Sequence, residues 1–100
     1  MEHYGYIGSM RTRPGRREEV AALLLRSASA LSEAGCRSYV VSLSEDDADA
    51  IWVTEVWESR EAHDASLRLP EAQAAIAEAM PLLTGEFTRQ ETKVLGGLGA

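Results

Sequence analysis

Residues 50–67 read AIWVTEVWESREAHDASL, and this stretch decides the fold. Its first half predicts a β-strand over residues 50–57 with two apolar faces. The apolar residues of the two faces are Ile51, Val53 and Trp57 on one side and Trp52 and Val56 on the other. A strand with one face in water would alternate apolar with polar residues. The pattern therefore predicts a sheet that is covered by helices on one face and by a second subunit on the other.

This strand is followed directly by a predicted helix. Ser59 is a good N-cap residue, and it places His63 about one turn into the helix. The junction brings a large aromatic side chain, a carboxylate and an imidazole close together in sequence, namely Trp57, Glu58 and His63. We expect the functional site to lie at this junction.

The composition is that of an ordinary globular protein. One hundred residues are enough for one domain, which we expect to span residues 1–100 with a flexible glycine-rich tail over about 96–100. The net charge of −6 and the pI near 4.8 argue against a nucleic-acid-binding protein, because neutralising phosphates requires a basic surface. No apolar run approaches the length of a membrane-spanning helix or a signal peptide, so a cytoplasmic protein without membrane contacts is expected.

Neither the cysteine nor the histidines predict a metal site. A single cysteine, Cys36, allows no intrachain disulfide, and after a helix-ending glycine it is expected to be a small buried hydrophobic residue. The two histidines, His3 and His63, are far apart and show no metal-ligand spacing. The acidic run over residues 45–49 lacks the glycine and the glutamate of a calcium loop, so it is interpreted as a solvated hairpin turn.

Apolar periodicity predicts the remaining elements. The predicted strands cover residues 3–11, 36–44, 50–57 and 86–95, and the predicted helices cover residues 16–34, 59–69 and 70–80. The last strand is strongly polar, which suits an exposed or intersubunit edge. The order is β-α-β-β-α-β, which predicts an α+β, ferredoxin-like fold with an antiparallel sheet and the helices on one face.

The first strand contains two glycines, Gly5 and Gly8. Alternation assigns Tyr4, Tyr6, Gly8 and Met10 to one face and His3, Gly5, Ile7 and Ser9 to the other. Glycine inside a strand marks either a twisted edge or a place where another group approaches the backbone closely. The sequence leaves both interpretations open.

Taken together, these motifs resemble those of the antibiotic biosynthesis monooxygenase family, which includes quinol monooxygenases. The resemblance covers nearly the whole chain and depends on the order and spacing of several short motifs. These are Pro14-Gly15, Gly35-Cys36 with Tyr39, Glu55-Val56-Trp57-Glu58-Ser59, Glu61 to Leu67, and Met80-Pro81-Leu82-Leu83.

The resemblance implies an architecture and an activity. Members of the family form homodimers in which two sheets meet face to face as a dimeric α+β barrel, and each subunit holds a pocket between its sheet and its helices. The implied reaction is the oxygenation of a quinol or a polycyclic aromatic phenol by molecular oxygen, without flavin, haem or metal. A small aromatic substrate, molecular oxygen and a second copy of the chain are therefore the expected partners, and no cofactor is expected.

Two departures from the family pattern stand out. Many relatives carry a histidine three positions after His63, where this chain has Ser66. The chain also contains no asparagine, which the haem-degrading relatives and some polyketide oxygenases use in their pocket, so an altered or lost oxygenase activity is an alternative. A haem-degrading role is accordingly disfavoured.

In the implied pocket, His63 is the candidate catalytic base, because an unperturbed histidine titrates near neutral pH. Trp57 would wall the pocket, and the hydroxyls of Tyr39 and Tyr6 could bind the substrate. Met10 shares the strand face of Tyr6 and is a further candidate substrate contact. Structural interpretations compete with these roles, since Trp57 could be a core residue, Tyr39 could pack across the hairpin, and His63 could lie on the surface at the start of its helix.

Three functions are consistent with these residues. The first is a cofactor-independent monooxygenase. The second is a non-catalytic dimeric protein on the same scaffold that binds a small molecule or acts in a stress response, because fold alone does not fix function. The third is a cyclase or isomerase in which His63 moves protons without oxygen.

Overall fold

A computed structural model describes residues 3–100 and contains one four-stranded antiparallel sheet with the strand order β2-β3-β1-β4. The strands are β1 His3–Thr12, β2 Cys36–Leu43, β3 Ala50–Trp57 and β4 Leu83–Val94, and the helices are α1 Arg17–Ala28, α2 Arg60–Ser66 and α3 Pro70–Ala79. Short 3-10 turns cover Ser32–Ala34 and Met80–Leu82. The predicted α+β, ferredoxin-like fold is confirmed, with the second helical region divided into α2 and α3.

Strand β3 lies inside the sheet and carries its core. Ile51 and Trp57 are 0% and 1% exposed on the face towards the helices, whereas Trp52 on the opposite face is 42% exposed. The buried residues that pack around this face come from α1, the end of α3, the following 3-10 turn and the start of β4: they are Val20, Leu23, Ala79, Leu82 and Leu83. The predicted alternation of β3 is confirmed.

Helix α1 is shorter than predicted. It ends at Ala28, six residues before the predicted end at Ala34. Beyond Ala28, the amides of Ala30 and Leu31 bind carbonyl oxygens three residues back, which tightens the chain into a turn. Leu31 is nevertheless buried. The apolar spacing therefore marked the buried positions correctly but did not distinguish an α-helix from a tighter turn.

The boundaries of α2 and α3 follow from their terminal residues. The hydroxyl of Ser59 accepts a hydrogen bond of 3.0 Å from the amide of Ala62, which confirms the predicted N-cap. Helix α2 ends at Ser66 and not at Leu69, because Leu69 precedes Pro70 and adopts an extended conformation. Pro70 then opens α3. Over residues 3–100, no helix has both the length and the apolar character needed to cross a membrane.

Strand β4 is an edge strand, as predicted, and it pairs with β1. It begins at Leu83, three residues earlier than expected. An irregularity in the β1–β4 register between Met10 and Thr12 lets Thr12 pair with Leu83. This irregularity also extends β1 by one residue beyond the predicted Arg11.

The acidic hairpin between β2 and β3 is held by arginines. Arg11 forms ion pairs with Asp47 and, at 2.9 Å, with Glu86. Arg17 donates hydrogen bonds of 2.8 Å to the carbonyl oxygens of Ser44 and Asp47. The predicted hairpin turn is confirmed, with Glu45 and Asp46 exposed, and the arginines additionally bind its backbone and the carboxylate of Asp47.

The two glycines of β1 lie where other groups approach the backbone. A Cβ atom at Gly5 would come within 2.1 Å of the Oγ1 atom of Thr92, and one at Gly8 within 2.9 Å of the ring of Tyr6. Because Gly8 has no side chain, the ring of Tyr6 can lie over the strand on the side that faces the helices. The structure thus favours close approach over a twisted edge.

The substitution Gly5→Ala should destabilise the fold by about 1–3 kcal/mol, because the added methyl group overpacks the contact with Thr92. Chemical denaturation would measure the loss. The double substitution Gly5→Ala with Thr92→Ala should recover part of it, and Ser42→Ala on the exposed part of β2 serves as the control. A Gly5→Ala protein as stable as the wild type would refute the close-packing argument.

Candidate functional site

A cavity of about 670 Å³ lies between the sheet and the helices. It is lined by all of the residues that the sequence singled out as catalytic or substrate-binding, namely Tyr6, Met10, Tyr39, Trp57 and His63. Most of the exposed surface inside the cavity is apolar. The structure therefore brings these side chains together, while their roles stay predictions.

Strand register explains how the cavity floor is built. Tyr39 pairs with Glu55 across β2 and β3, and Glu55 pairs with Tyr6 across β3 and β1. Directly paired residues project on the same face of a sheet. A carboxylate between two phenols thus forms one row across the floor of the cavity.

The imidazole of His63 is enclosed by aromatic rings. It is stacked on Tyr6 at 4.9 Å between ring centroids, tilted against Tyr4 at 5.2 Å, and perpendicular to Trp57 at 5.5 Å. His63 is only 8% exposed. The interpretation of His63 as a surface histidine is wrong, because the side chain is buried. Ser59 fixes where α2 begins, and this start places His63 on the side of the helix that faces the sheet.

The two nitrogens of His63 have different partners. Nδ1 lies 3.0 Å from Oδ1 of Asp64, and Nε2 lies 4.0 Å from Oε1 of Glu55. An ionised carboxylate can only accept a hydrogen bond, so the contact with Asp64 requires the proton of the neutral imidazole to be on Nδ1. Nε2 then carries a free lone pair and is the basic atom of the ring.

Glu55 is a functional candidate that the sequence reasoning missed. Its side chain is 11% exposed and lines the cavity, and its carboxylate accepts a hydrogen bond of 2.8 Å from Nε1 of Trp57. Burial raises the pKa of Glu55, and the Trp57 hydrogen bond and nearby His63 offset this only in part. The carboxylate expected at the junction was Glu58, but Glu58 is exposed and does not line the cavity. The available signal was the alternation of β3, which puts Glu55 in phase with buried Val53 and Trp57.

The tyrosines of the cavity fall into two groups. The hydroxyl of Tyr4 donates a hydrogen bond of 2.7 Å to Glu91, which also pairs with Arg60 at 2.8 Å. Among residues 3–100, the hydroxyls of Tyr6 and Tyr39 have no hydrogen-bond partner. Burial, reinforced by the charge of Glu55, raises the pKa of both phenols and keeps them protonated. Tyr6 and Tyr39 are therefore free to donate to a ligand.

Ser66 and Cys36 have structural contacts. Ser66 is buried at the end of α2, and its hydroxyl donates a hydrogen bond of 2.6 Å to the carbonyl oxygen of His63. Cys36 is half-buried, its thiol donates to the carbonyl oxygen of Ser38, and burial raises its pKa. The thiol is therefore neutral, not a nucleophile. Within the described part of the chain, no group of three or more histidine, cysteine or acidic residues is arranged to hold a metal ion.

Comparisons with known proteins agree on one family. Residues 4–78 match the family model described as antibiotic biosynthesis monooxygenase. A solved structure from Chloroflexus aurantiacus J-10-fl that bears the same family name is 48% identical, with a TM-score of 0.86 over 95% of each chain. The protein Rv0793 from Mycobacterium tuberculosis is 26% identical, with a TM-score of 0.81 over 96% of this chain and 98% of its own. No curated protein matches the chain.

A further solved structure supports the fold alone. It comes from Caulobacter crescentus CB15 and bears the same family name, with 20% identity and a TM-score of 0.85 over 94% of this chain and 91% of its own.

The buried carboxylate predicts a pH dependence of stability. Because the pKa of Glu55 is raised in the folded state, this group destabilises the fold as pH rises from the ordinary titration range of glutamate through the raised value. The substitution Glu55→Gln keeps an oxygen for Trp57 and removes the charge. It should raise the melting temperature at neutral pH, and the gain should shrink as pH falls towards about 4.

Thermal melts at several pH values would measure this difference. Glu58→Gln is the matched control, because it removes the same charge from an exposed position near the same end of β3 and should change the melting temperature little at any pH. A Glu55→Gln protein that is less stable than the wild type at neutral pH would show that the carboxylate charge stabilises the fold.

Proposed function

The chain belongs to the antibiotic biosynthesis monooxygenase family, and from this premise we propose that it is a cofactor-independent monooxygenase that oxidises a quinol or a polycyclic aromatic phenol with molecular oxygen. One observation supports the proposal independently of family membership. The basic nitrogen of a buried imidazole faces an apolar, aromatic cavity that has room for a ring system.

The substrate itself can supply the electrons for this reaction. A deprotonated quinol or anthrone-like phenol is electron-rich enough to pass an electron to oxygen, so the protein needs to provide a proton acceptor, an apolar pocket and orientation. When a quinol becomes a hydroxyquinone, one oxygen atom enters the product and the other leaves as water. The four electrons that reduce oxygen come from the substrate, so the balance requires no external reductant.

Each candidate residue has a physical role in this scheme. His63 accepts the proton of the substrate hydroxyl at Nε2, which Asp64 leaves unprotonated. Trp57 is fully buried and walls the cavity beside the imidazole. The unpartnered hydroxyls of Tyr6 and Tyr39 orient the substrate oxygen atoms, and Met10 contacts its apolar part.

Oxygen uptake with a panel of quinols and anthrones is the primary test. The substitution His63→Gln should lower kcat by about 10²–10⁴-fold, because it removes the proton acceptor. His3→Gln is the matched control, because His3 lies at the end of β1 and does not line the cavity. Circular dichroism and thermal melts of both variants would separate loss of chemistry from loss of fold.

The outcomes separate the three candidate functions. Ligand binding without oxygen uptake above the uncatalysed rate would favour a non-catalytic binding protein. Conversion of the ligand to an isomer or a cyclised product without oxygen uptake would favour the proton-shuttling alternative. An unchanged rate in the His63→Gln variant would remove His63 from the mechanism.

We also propose that a second copy of the chain covers the outer face of the sheet, as the family resemblance implies. This face is the one opposite the helices, and among residues 3–100 the strand register places no charged side chain at its centre. The apolar residues there are Ile7, Val40, Trp52 and Val56, surrounded by Thr54, Thr88, Gln90 and Thr92. Ile7, Val40 and Trp52 are exposed in the single chain, which is unusual for neighbouring large apolar residues on a monomer.

Sedimentation velocity at micromolar concentration would test the homodimer. The wild type should sediment as a dimer and Trp52→Glu as a monomer, because the substitution places a charge in the centre of the interface. Leu25→Glu is the matched control, since Leu25 is an exposed apolar residue on α1, on the helix side of the sheet. A monomeric wild type would refute the proposed homodimer.

A further inference from the structure

The closest basic group to the buried carboxylate of Glu55 is the imidazole of His63. Their facing atoms, Oε1 of Glu55 and Nε2 of His63, are 4.0 Å apart. This distance is too long for a direct hydrogen bond. Within the described residues, Trp57 provides the one hydrogen bond to the carboxylate.

With the tautomer that Asp64 imposes, both facing atoms are hydrogen-bond acceptors. Two acceptors directed at each other have no attractive interaction unless a proton or a donor comes between them. A hydroxyl oxygen beside the line that joins them can lie within hydrogen-bond distance of both atoms. The geometry is therefore suited to a ligand that brings one ionisable hydroxyl.

We propose that Glu55 and His63 act as one acid–base pair that receives the ionisable hydroxyl of an aromatic substrate and keeps the proton it loses. The O–H bond of the substrate breaks, its electron pair stays on the phenolate oxygen, and an N–H bond forms at Nε2 of His63. The inference rests on the proposed function, and it adds Glu55 to the groups that contact the substrate.

The charges of the site explain why the pair accepts a proton more readily than His63 alone. Before the transfer, the pair holds one buried negative charge, which burial disfavours. After the transfer, the imidazolium and the carboxylate neutralise each other at short distance. The phenolate spreads its own charge over the aromatic ring system. Without Glu55, the imidazolium would keep only the exposed carboxylate of Asp64 and the phenolate itself as counter-charges, so the buried side of the ring would lose its anionic partner.

The other ionisable groups around the pair do not compete as bases. Tyr6 and Tyr39 flank Glu55 in the same row of the sheet, and burial raises their pKa, so they remain donors to the substrate oxygen. Asp64 binds Nδ1 from its exposed side. Burial also raises the pKa of Cys36, which lies near Glu55.

The charged side chains of β4 near the pair either bind other groups or have opposing effects on the pKa of Tyr6. Glu91 is bound to Tyr4 and Arg60. Arg89 lowers the pKa of Tyr6, against the larger effects of burial and of Glu55, which raise it. The proton that leaves the substrate is therefore expected to go to the Glu55–His63 pair.

A spectroscopic probe tests the pair without any oxygen chemistry. 4-Nitrophenol has different absorption spectra as phenol and as phenolate, and it does not react with molecular oxygen. On binding to the wild type, its ionisation should shift to lower pH by about one unit or more, a tenfold change in the ionisation equilibrium. In Glu55→Gln and in His63→Gln this shift should be lost.

Matched probes and variants separate the pair from general binding. The methyl ether 4-nitroanisole has no proton to give and should bind the wild type and Glu55→Gln equally. Glu58→Gln, which removes a carboxylate outside the cavity, should leave the probe shift intact. The double variant Glu55→Gln with His63→Gln should be no worse than the worse single variant, since two groups that act as one unit are not additive.

The outcomes that would overturn the inference are distinct from failure of the oxygenase proposal. A wild type that does not bind 4-nitrophenol in preference to 4-nitroanisole, or that does not lower its ionisation pH, refutes the pair. Additive effects of the two substitutions refute it as well. Equal loss of affinity for both probes in Glu55→Gln would show that Glu55 only supports the cavity wall. A clear probe shift without oxygen uptake on any quinol would keep the pair and refute the oxygenase.

Discussion

The alternation of β3 is the constraint on which the rest of the structure depends. One face of this strand must be buried under the helices, and its residues at every second position are Ile51, Val53, Glu55 and Trp57. The same alternation that builds the core therefore carries a carboxylate into it. Burying a charged group without a cation nearby is costly, so the fold contains an electrostatic tension at this position. The indole of Trp57 and the nearby imidazole of His63 relieve only part of it.

The unfavourable burial of Glu55 and the cavity have the same structural origin. The row Tyr39, Glu55 and Tyr6 crosses the sheet where the first turn of α2 brings His63 over it. Large rings surround the carboxylate, and Gly8 leaves space for one of them to lie on the strand. A protein under selection for stability alone would be expected to place an apolar residue at position 55. Packing therefore does not explain this carboxylate, which agrees with the proton transfer proposed for Glu55 and His63.

The sequence predicted the fold and five of the side chains that line the cavity, and its failures have physical causes. Periodicity identified β3 and the buried positions of α1, and Ser59 and Pro70 marked where α2 and α3 begin, because these signals are local. The end of α1 was wrong because Leu31 fits the helical spacing while belonging to a tighter turn. The surroundings of His63 could not be predicted, because they depend on contacts between α2, β1 and β3. Glu55 was missed because only the apolar residues of β3 were assigned to its two faces, and the carboxylate considered at the junction was Glu58.

Position 66 shows how the site can differ from that of other family members without losing its basic group. Where many relatives have a histidine, the hydroxyl of Ser66 is buried and donates to the carbonyl oxygen of His63. That bond ties the last turn of α2 to the turn that holds the imidazole, so position 66 supports the orientation of His63 and adds no second base. With Ser66 in place of a histidine, the proposed reaction has one imidazole base, which lies over the row of Glu55. In the proposed reaction, the substrate would present its hydroxyl at the floor of the cavity, beside Trp57, and direct its ring system towards the apolar walls formed by α1 and α3.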